Sequence, residues 1–300
     1  MVTFPLFQFL RWLLVIVTGR GHDRGAWMNT LHHKFSYRLH KLLPAFGVRG
    51  LQRVPAPGMP GKFLYVRAED GGVAHQLIMY REYEPYESKL VREYLKPGMT
   101  VYNIGANLGY YALLASECVG PSGEVLAFEP ASENLELLRR TVAENGCTNV
   151  EIFPMAVSEE EGIANLAIST TNSGDHRLTE IEGRNHIEVN VTSVDAFIVE
   201  GHLAPDAIIM DVQGAELDVL RGAESLLASK APLVLFTEFW PGGLDERHPN
   251  GAREMLELLE RIGFQLHQID ERRKRLTPIA VETLLERIHG DMEVNLLCTR

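Results

Sequence analysis

The sequence predicts an α/β fold, a doubly wound and mostly parallel sheet with helices on both faces, and three observations carry that prediction. From residue 100 onward, short apolar runs alternate with segments of helical periodicity, the pattern of parallel strands joined by crossover helices. The run Val101-Tyr102-Asn103-Ile104 leads into Gly105-Ala106-Asn107-Leu108-Gly109, a buried strand entering a glycine-rich turn that opens a helix. A second apolar strand, Glu124 to Phe128, then ends on the carboxylate of Glu129.

The elements follow in order. Phe4 to Val17 is strongly apolar but interrupted by Gln8 and Arg11, and at about 14 residues it is too short to span a bilayer as a helix. Arg11 and the lack of a small-residue cleavage site also argue against a signal peptide. Two readings stay open: a helix packed in a core or a self-association surface, or one lying in a membrane interface beside Arg20, Arg24, Lys34, Arg38 and Lys41. Residues 26–46 carry helical spacing, and the Pro/Gly-rich run 54–61 reads as a linker. Two regions result: a basic N-terminal helical appendage, 1–61, and a main domain, 62–300, with its motif-bearing core at 96–245. In the main domain, 62–67 and 73–80 flank Glu69-Asp-Gly-Gly72 and suggest a hairpin, and 84–95 reads as a helix. Sheet strands are expected at 100–104, 124–128, 150–157, 206–211, 232–239, 263–269 and 293–299. Helices are expected at 109–118, 132–145, 215–229 and 251–262. Two further alternating stretches, 163–169 and 187–194, bracket a polar loop at 170–178.

Charge narrows the function classes. The net charge is −11, but residues 1–66 carry nine Lys/Arg against one acid, and residues 67–300 carry 20 bases against 39 acids. An acidic main domain argues against a nucleic-acid surface, and no Asp/Asn-Pro-Pro-Tyr/Phe block is present to hold a flipped base. Cys118, Cys147 and Cys298 are far apart, with no spacing for zinc or a disulfide framework, which fits a reducing, cytoplasmic setting.

The glycine turn and Glu129 point to a nucleoside: backbone approaches the ligand at glycines, and an acid at the next strand tip takes the ribose hydroxyls. Only Gly105 and Gly109 are present, without the third glycine of a dinucleotide site, and there is no P-loop. Adenosine bearing a sulfonium, S-adenosyl-L-methionine, remains; a nicotinamide-dependent oxidoreductase is disfavoured. Gly105 and Gly109 give the close approach, Ala106 leaves it unobstructed, and Asn107 can serve loop backbone or the methionine carboxylate. Glu129 is expected to take both ribose hydroxyls, with Pro130 beside it and Ala156 and Val157 near the adenine.

Six blocks occur in order: Asn103-Ile-Gly-Ala-Asn-Leu-Gly-Tyr-Tyr111, Ala127-Phe-Glu-Pro130, Ala156-Val-Ser158, Ser173-Gly-Asp-His176, Thr192-Ser-Val-Asp195 and Ile209-Met-Asp-Val-Gln-Gly-Ala-Glu216. Together they closely resemble the FkbM-type S-adenosylmethionine-dependent methyltransferases over about residues 75–245. The resemblance implies a class I, Rossmann-like fold with a seven-stranded sheet, and O-methylation of a hydroxyl on a small molecule or glycan. Two positions depart from the family pattern: Asn103 stands where an acid is common, and Gln213 where Asp-Val-Glu-Gly is common. Asn103 supplies no charge opposite the methionyl end. Gln213 weakens any metal chelation there, and no metal is expected.

Methyl transfer to an alcohol needs a base. His176 is one candidate, oriented by Asp175 or Asp211; Asp211 and Glu238, at strand ends, are the others. The alternative for Asp211 is a cap on the helix that follows, with Glu216 serving that helix's N-terminus electrostatically. Phe239, Trp240 and Pro241 can line an acceptor pocket or fill the core. The rival reading is a methyltransferase-fold binding protein that has lost catalysis.

Overall fold

A strand buried at every position needs cover on both faces, and β3 (Thr100–Ile104) is such a strand. The computed structural model describes residue 41, residues 48–229 and residues 232–300. The apolar segment 4–17 lies outside them, as does the expected helix 26–46 apart from residue 41. No helix among the described residues is long and apolar enough to cross a membrane.

Around β3 runs a sheet of eight strands. Named in chain order, the others are β4 (Glu124–Phe128), β5 (Val150–Phe153), β9 (Ala207–Met210), β10 (Val234–Phe239), β11 (Gln265–Asp270), β12 (Arg275–Pro278) and β13 (Val294–Thr299). Their order is β12-β11-β13-β10-β9-β3-β4-β5. The five strands from β10 to β5 are parallel. The ladders that add β13, β11 and β12 are antiparallel. All seven expected strands are present; β12 is an eighth at the edge. The strand order turns between β3 and β9, the switch point at which open α/β sheets bind ligands.

Side-chain alternation on β3 splits the core in two. Val101 joins the core under the helices Val73–Met79, Pro85–Tyr94, Tyr110–Val119 and Ser132–Glu144. Tyr102 and Ile104 join the core under Val194–Val199, Glu216–Arg221, Gly251–Arg261 and Val281–Arg287. The period of two therefore sends Asn103 toward the first face.

Four expectations are corrected. The Pro/Gly-rich 54–61 is a hairpin turn, joining β1 (Leu51–Pro55) to β2 (Phe63–Arg67) in antiparallel register. Residues 73–79 are helical: Ala74, Leu77 and Ile78 are buried at helical spacing, and the Asp70 carboxylate accepts the Ala74 N–H at 3.1 Å. The strand expected at 150–157 breaks at Pro154, which has no N–H for a ladder. Its second part, β6 (Ala156–Val157), joins a separate sheet with β7 (Gly162–Ile168) and β8 (Asn185–Thr192) in the order β6-β8-β7. The helix expected over 215–229 is two helices, Glu216–Arg221 and Glu224–Ser229, parted at Gly222. A Cβ at Gly222 would lie 2.1 Å from the Ser158 carbonyl oxygen, so a neighbouring backbone approaches closely where the helix stops.

Phe197 locks the second core. Its ring lies 5.9 Å from Tyr102, 5.0 Å from Phe128 and 4.8 Å from Phe153, and it stacks on His202 at 3.7 Å. Phe197→Ala is expected to cost about 3–5 kcal/mol of unfolding free energy, read by denaturant titration.

Candidate active site

The carboxyl ends of β3, β4, β9 and β10 meet in one cleft with two connected lobes. The β3 loop is pinned from two sides. The Gly105 and Ala106 N–H groups donate to the Phe128 carbonyl at 3.0 and 2.9 Å, and the Asp211 N–H donates to the Ile104 carbonyl at 3.1 Å. Gly105 has φ +79°, and a Cβ there would stand 2.0 Å from the Asp211 carbonyl oxygen. Only glycine permits that turn and that contact. Gly109 lines neither lobe; it starts the helix Tyr110–Val119 in a left-handed conformation, packed against Leu138.

Glu129 is 4 % exposed, so it is no solvated strand-end acid. Oε2 accepts the Asn107 N–H at 2.8 Å, and Oε1 accepts the Ala131 N–H at 2.9 Å and the Asn134 amide at 3.5 Å. Burial pushes its carboxyl up to about 7 against those hydrogen bonds. A carboxylate has about four acceptor positions, so one ribose hydroxyl has a ready partner on Oε2. A second has Asn134, which sequence reasoning missed: its buried Oδ1 has no partner and the residue lines the same lobe. Met155, Ala156, Val157, Leu166 and Leu178 add an apolar wall. With about 550 Å³ of space open to solvent, a buried acid at the strand tip, an unpaired acceptor and an apolar wall, this lobe fits an adenosine.

The loop over this lobe is tied down by polar bonds. The Ser173 carbonyl accepts from the Asn107 and Asn134 side chains at 3.3 and 3.1 Å, and the Ser173 N–H donates to Asp70 at 2.6 Å. His176 lines the lobe with its Nδ1 accepting the Ser169 N–H at 3.1 Å, and burial lowers its pKa. Asp175 does not orient it, because that carboxylate pairs with Arg177 at 2.7 Å and Arg184 at 2.5 Å. The aromatic residues at the end of β10 are core and cover: Phe239, the last residue of the strand, is fully buried, and Trp240 lies beneath the Arg177 guanidinium, 4.3 Å from its ring centroid.

At the other end stand acids. Asp211 does not cap the next helix. That helix has no side-chain cap, and its first residue, Glu216, instead takes the loop N–H groups of Val212 at 3.2 Å and Gly214 at 3.0 Å. Asp211 is exposed to the cleft and lines both lobes. Gln213, in a left-handed conformation at φ +54°, donates its amide to Asp211 at 2.7 Å and to Glu238 at 3.0 Å. Partial burial raises the Asp211 carboxyl, and the Gln213 bond opposes the rise. Burial, then the nearby Asp211 and Glu216 charges, push Glu238 up to about 11. Asp211, Glu216 and Glu238 bring carboxylate oxygens within 4.8 Å of one another. The Gln213 nitrogen already donates to two of them, and Glu216 is spent on backbone.

The second lobe, about 650 Å³ and also open to solvent, holds Asn103, Ala106 and Glu238. It also holds Glu84 and Glu87, which sequence reasoning missed because their partners are distant in sequence. Glu84 accepts the Tyr111 hydroxyl at 2.6 Å, and Asn295 donates to Glu84 at 3.3 Å and to Glu87 at 2.5 Å. Burial pushes Glu84 up to about 7 and holds Glu87 well above the usual carboxylate range.

Comparison with known proteins gives a family. The profile of the methyltransferase FkbM domain matches residues 103–266. A protein-L-isoaspartate O-methyltransferase from Methanothrix thermoacetophila is 38 % identical over 59 residues, 20 % of this chain and 28 % of that protein. An arsenite methyltransferase from Halobacterium salinarum is 37 % identical over 57 residues, 19 % of this chain and 15 % of that protein. The chain thus spans under a third of the length of these curated relatives. Among solved structures, an FkbM methyltransferase from Methylobacillus flagellatus aligns with 75 % of this chain and 52 % of its own, at 15 % identity and a TM-score of 0.41.

The raised carboxyls have a consequence for stability. Glu129 titrates near 4.5 when unperturbed and near 7 here, so between those values the folded protein keeps a proton that the unfolded chain releases. Rising pH then favours unfolding, and the loss is complete above about 7. Glu129→Gln is expected to gain stability relative to the wild type as pH rises from about 4.5 to about 7, read by paired denaturant titrations of the ligand-free proteins.

Proposed function

The chain belongs to the FkbM family of S-adenosylmethionine-dependent methyltransferases, and on that premise we propose that it methylates a hydroxyl oxygen of a small molecule, sugar or glycan. The observation that carries this reading is the position of Asp211, at the junction of the two lobes with one carboxylate oxygen held by Gln213 and the other uncommitted.

When bound, S-adenosylmethionine supplies an electrophilic methyl group on a sulfonium. Glu129 and Asn134 would hold its ribose, and Met155, Ala156 and Val157 its adenine. The chain's own task is to place an alcohol and accept its proton as the new bond forms. Asp211 and Glu238 divide that task through their environments. Gln213 donates to both, but Glu238 is held protonated to about 11 by burial and by its acidic neighbours. Glu238 then serves as a proton-bearing donor that helps position the acceptor, and Asp211 is the base. His176 has the other geometry. With Nδ1 accepting from Ser169, its neutral ring carries the proton on Nε2 and offers the cleft a donor.

Methyl transfer to a panel of sugars, polyketides and lipids tests the reading, with calorimetric titration of S-adenosylmethionine beside it. Asp211→Asn is expected to lower kcat by about 10²–10⁴-fold and to change cofactor affinity little. Glu129→Ala is expected to weaken cofactor binding by about tenfold or more. Absence of micromolar binding in the wild type, unchanged by Glu129→Ala, would establish the rival reading of a fold without catalysis.

A further inference from the structure

We propose that the turn between β11 and β12 docks the protein on an anionic lipid surface through the exposed bases Arg272, Arg273, Lys274 and Arg275. The proposal goes beyond the methyl-transfer reading and does not depend on it.

These four bases are consecutive in a main domain, 67–300, that holds 20 bases against 39 acids. All four are exposed. Arg273 is paired, its guanidinium 3.2 Å from Asp270, yet its side chain is still 70 % exposed. Among the described residues, Arg272, Lys274 and Arg275 have no acidic partner. The acid within the turn, Glu271, is committed to the helix Pro85–Tyr94, where it accepts the Tyr86 and Glu87 N–H groups at 3.0 and 2.6 Å. A surface that serves solubility alone intersperses the two signs, and this tip gathers one. Lys274 adds a second observation. It takes φ +50°, a left-handed position that a turn ordinarily gives to Gly or Asn, so a base is kept there at a conformational cost.

The sheet decides where the tip stands. β10 and β11 both run antiparallel to β13, so they point the same way. Phe239 of β10 pairs with Val294, and Ile269 of β11 pairs with Asn295. The turn after Asp270 therefore leaves the sheet at the edge where β10 delivers Glu238 to the cleft. Glu271 ties it to the helix whose preceding residue, Glu84, lines the second lobe. The four bases line neither lobe. A projecting turn cannot enclose a small anion, but it suits an extended surface of negative groups. Attraction to such a surface fades within about 8 Å at physiological salt, so a base counts only where it reaches the headgroups. The apolar run 4–17, followed by Arg20, Arg24, Lys34, Arg38 and Lys41, supplies the second signal that lasting membrane association needs. A nucleic acid or an acidic protein would match the bases and leave the apolar run unused, which favours lipid. Docking by this turn brings the mouth of the cleft to the headgroup layer.

Co-sedimentation of the full chain with phosphatidylcholine vesicles, with and without an equal share of phosphatidylserine, tests the proposal. The wild type is expected to bind only the vesicles that contain phosphatidylserine, and to be released by added salt. A base near an anionic surface is worth about fivefold in binding. Neutralising the three unpaired bases together, as Arg272→Gln, Lys274→Gln and Arg275→Gln, should therefore weaken binding about 100-fold and leave Tm unchanged. The charge-keeping pair Arg272→Lys and Arg275→Lys should bind like the wild type. Phosphatidylserine should also slow tryptic cleavage of the wild type within 272–275; without that protection the proposal falls, whatever the variants do. It is equally overturned if both vesicles bind alike, if the neutralised turn binds like the wild type, or if the charge-keeping pair loses binding. Capture by heparin or an oligonucleotide, with no binding to phosphatidylserine, would assign the turn to another polyanion and overturn the lipid surface.

Discussion

The Glu129 carboxylate ties the glycine loop after β3 to the start of the helix after β4. One oxygen holds the glycine loop through the Asn107 N–H; the other holds the start of the next helix through the Ala131 N–H. Asn107 and Asn134, both set by this arrangement, then reach the Ser173 carbonyl and hold the loop above. The cleft's floor, side and cover thus depend on one buried acid. Burying such a group costs free energy, and three hydrogen bonds offset part of that cost. The bonds that keep Glu129 in place also shape the room left for a ribose.

The acid end follows a different rule. Six acidic side chains, Glu84, Glu87, Asp211, Glu216, Glu238 and Glu271, gather with few compensating bases, and they differ in what their oxygens do. Glu216 and Glu271 satisfy backbone N–H groups. Gln213 ties Asp211 to Glu238, a neutral donor where a cation would otherwise be required. A further acid at Gln213's position would add repulsion to the burial that chiefly holds Glu238 protonated. The substitution that looked like a loss in the sequence therefore has a structural use.

The parallel strands, the glycine turn and Glu129 were legible because each depends on local chemistry: an apolar run, a residue that tolerates positive φ, an acid at a strand tip. Errors arose where a local signal competed with a distant partner. Gly71 and Gly72 promised a hairpin, but Leu77 and Ile78 had a core to fill at helical spacing. The prolines of 54–61 promised a linker, although a turn between paired strands uses the same residues. Glu84 and Asn295 are 211 positions apart, and no spacing rule joins them. Asn134 was within reach, five residues after Glu129, but its value lies in an unpaired oxygen that only the packed structure shows.

The small sheet β6-β8-β7 carries a consequence for how such a protein diversifies. Its own minor core, Ala131, Ala156, Leu166 and Val189, is separate from the two that sandwich the main sheet. The loop it presents lies above the cleft, whereas Asp211, Glu238 and Glu84 come from the main sheet and the helix before it. Lengthening or exchanging that loop would alter the shape offered to an incoming molecule while the elements that hold the nucleoside's reactive end kept their register. The cover of the nucleoside lobe and the strands that carry the acids are thus separate pieces of the fold, and the cover comes from one segment between β7 and β8.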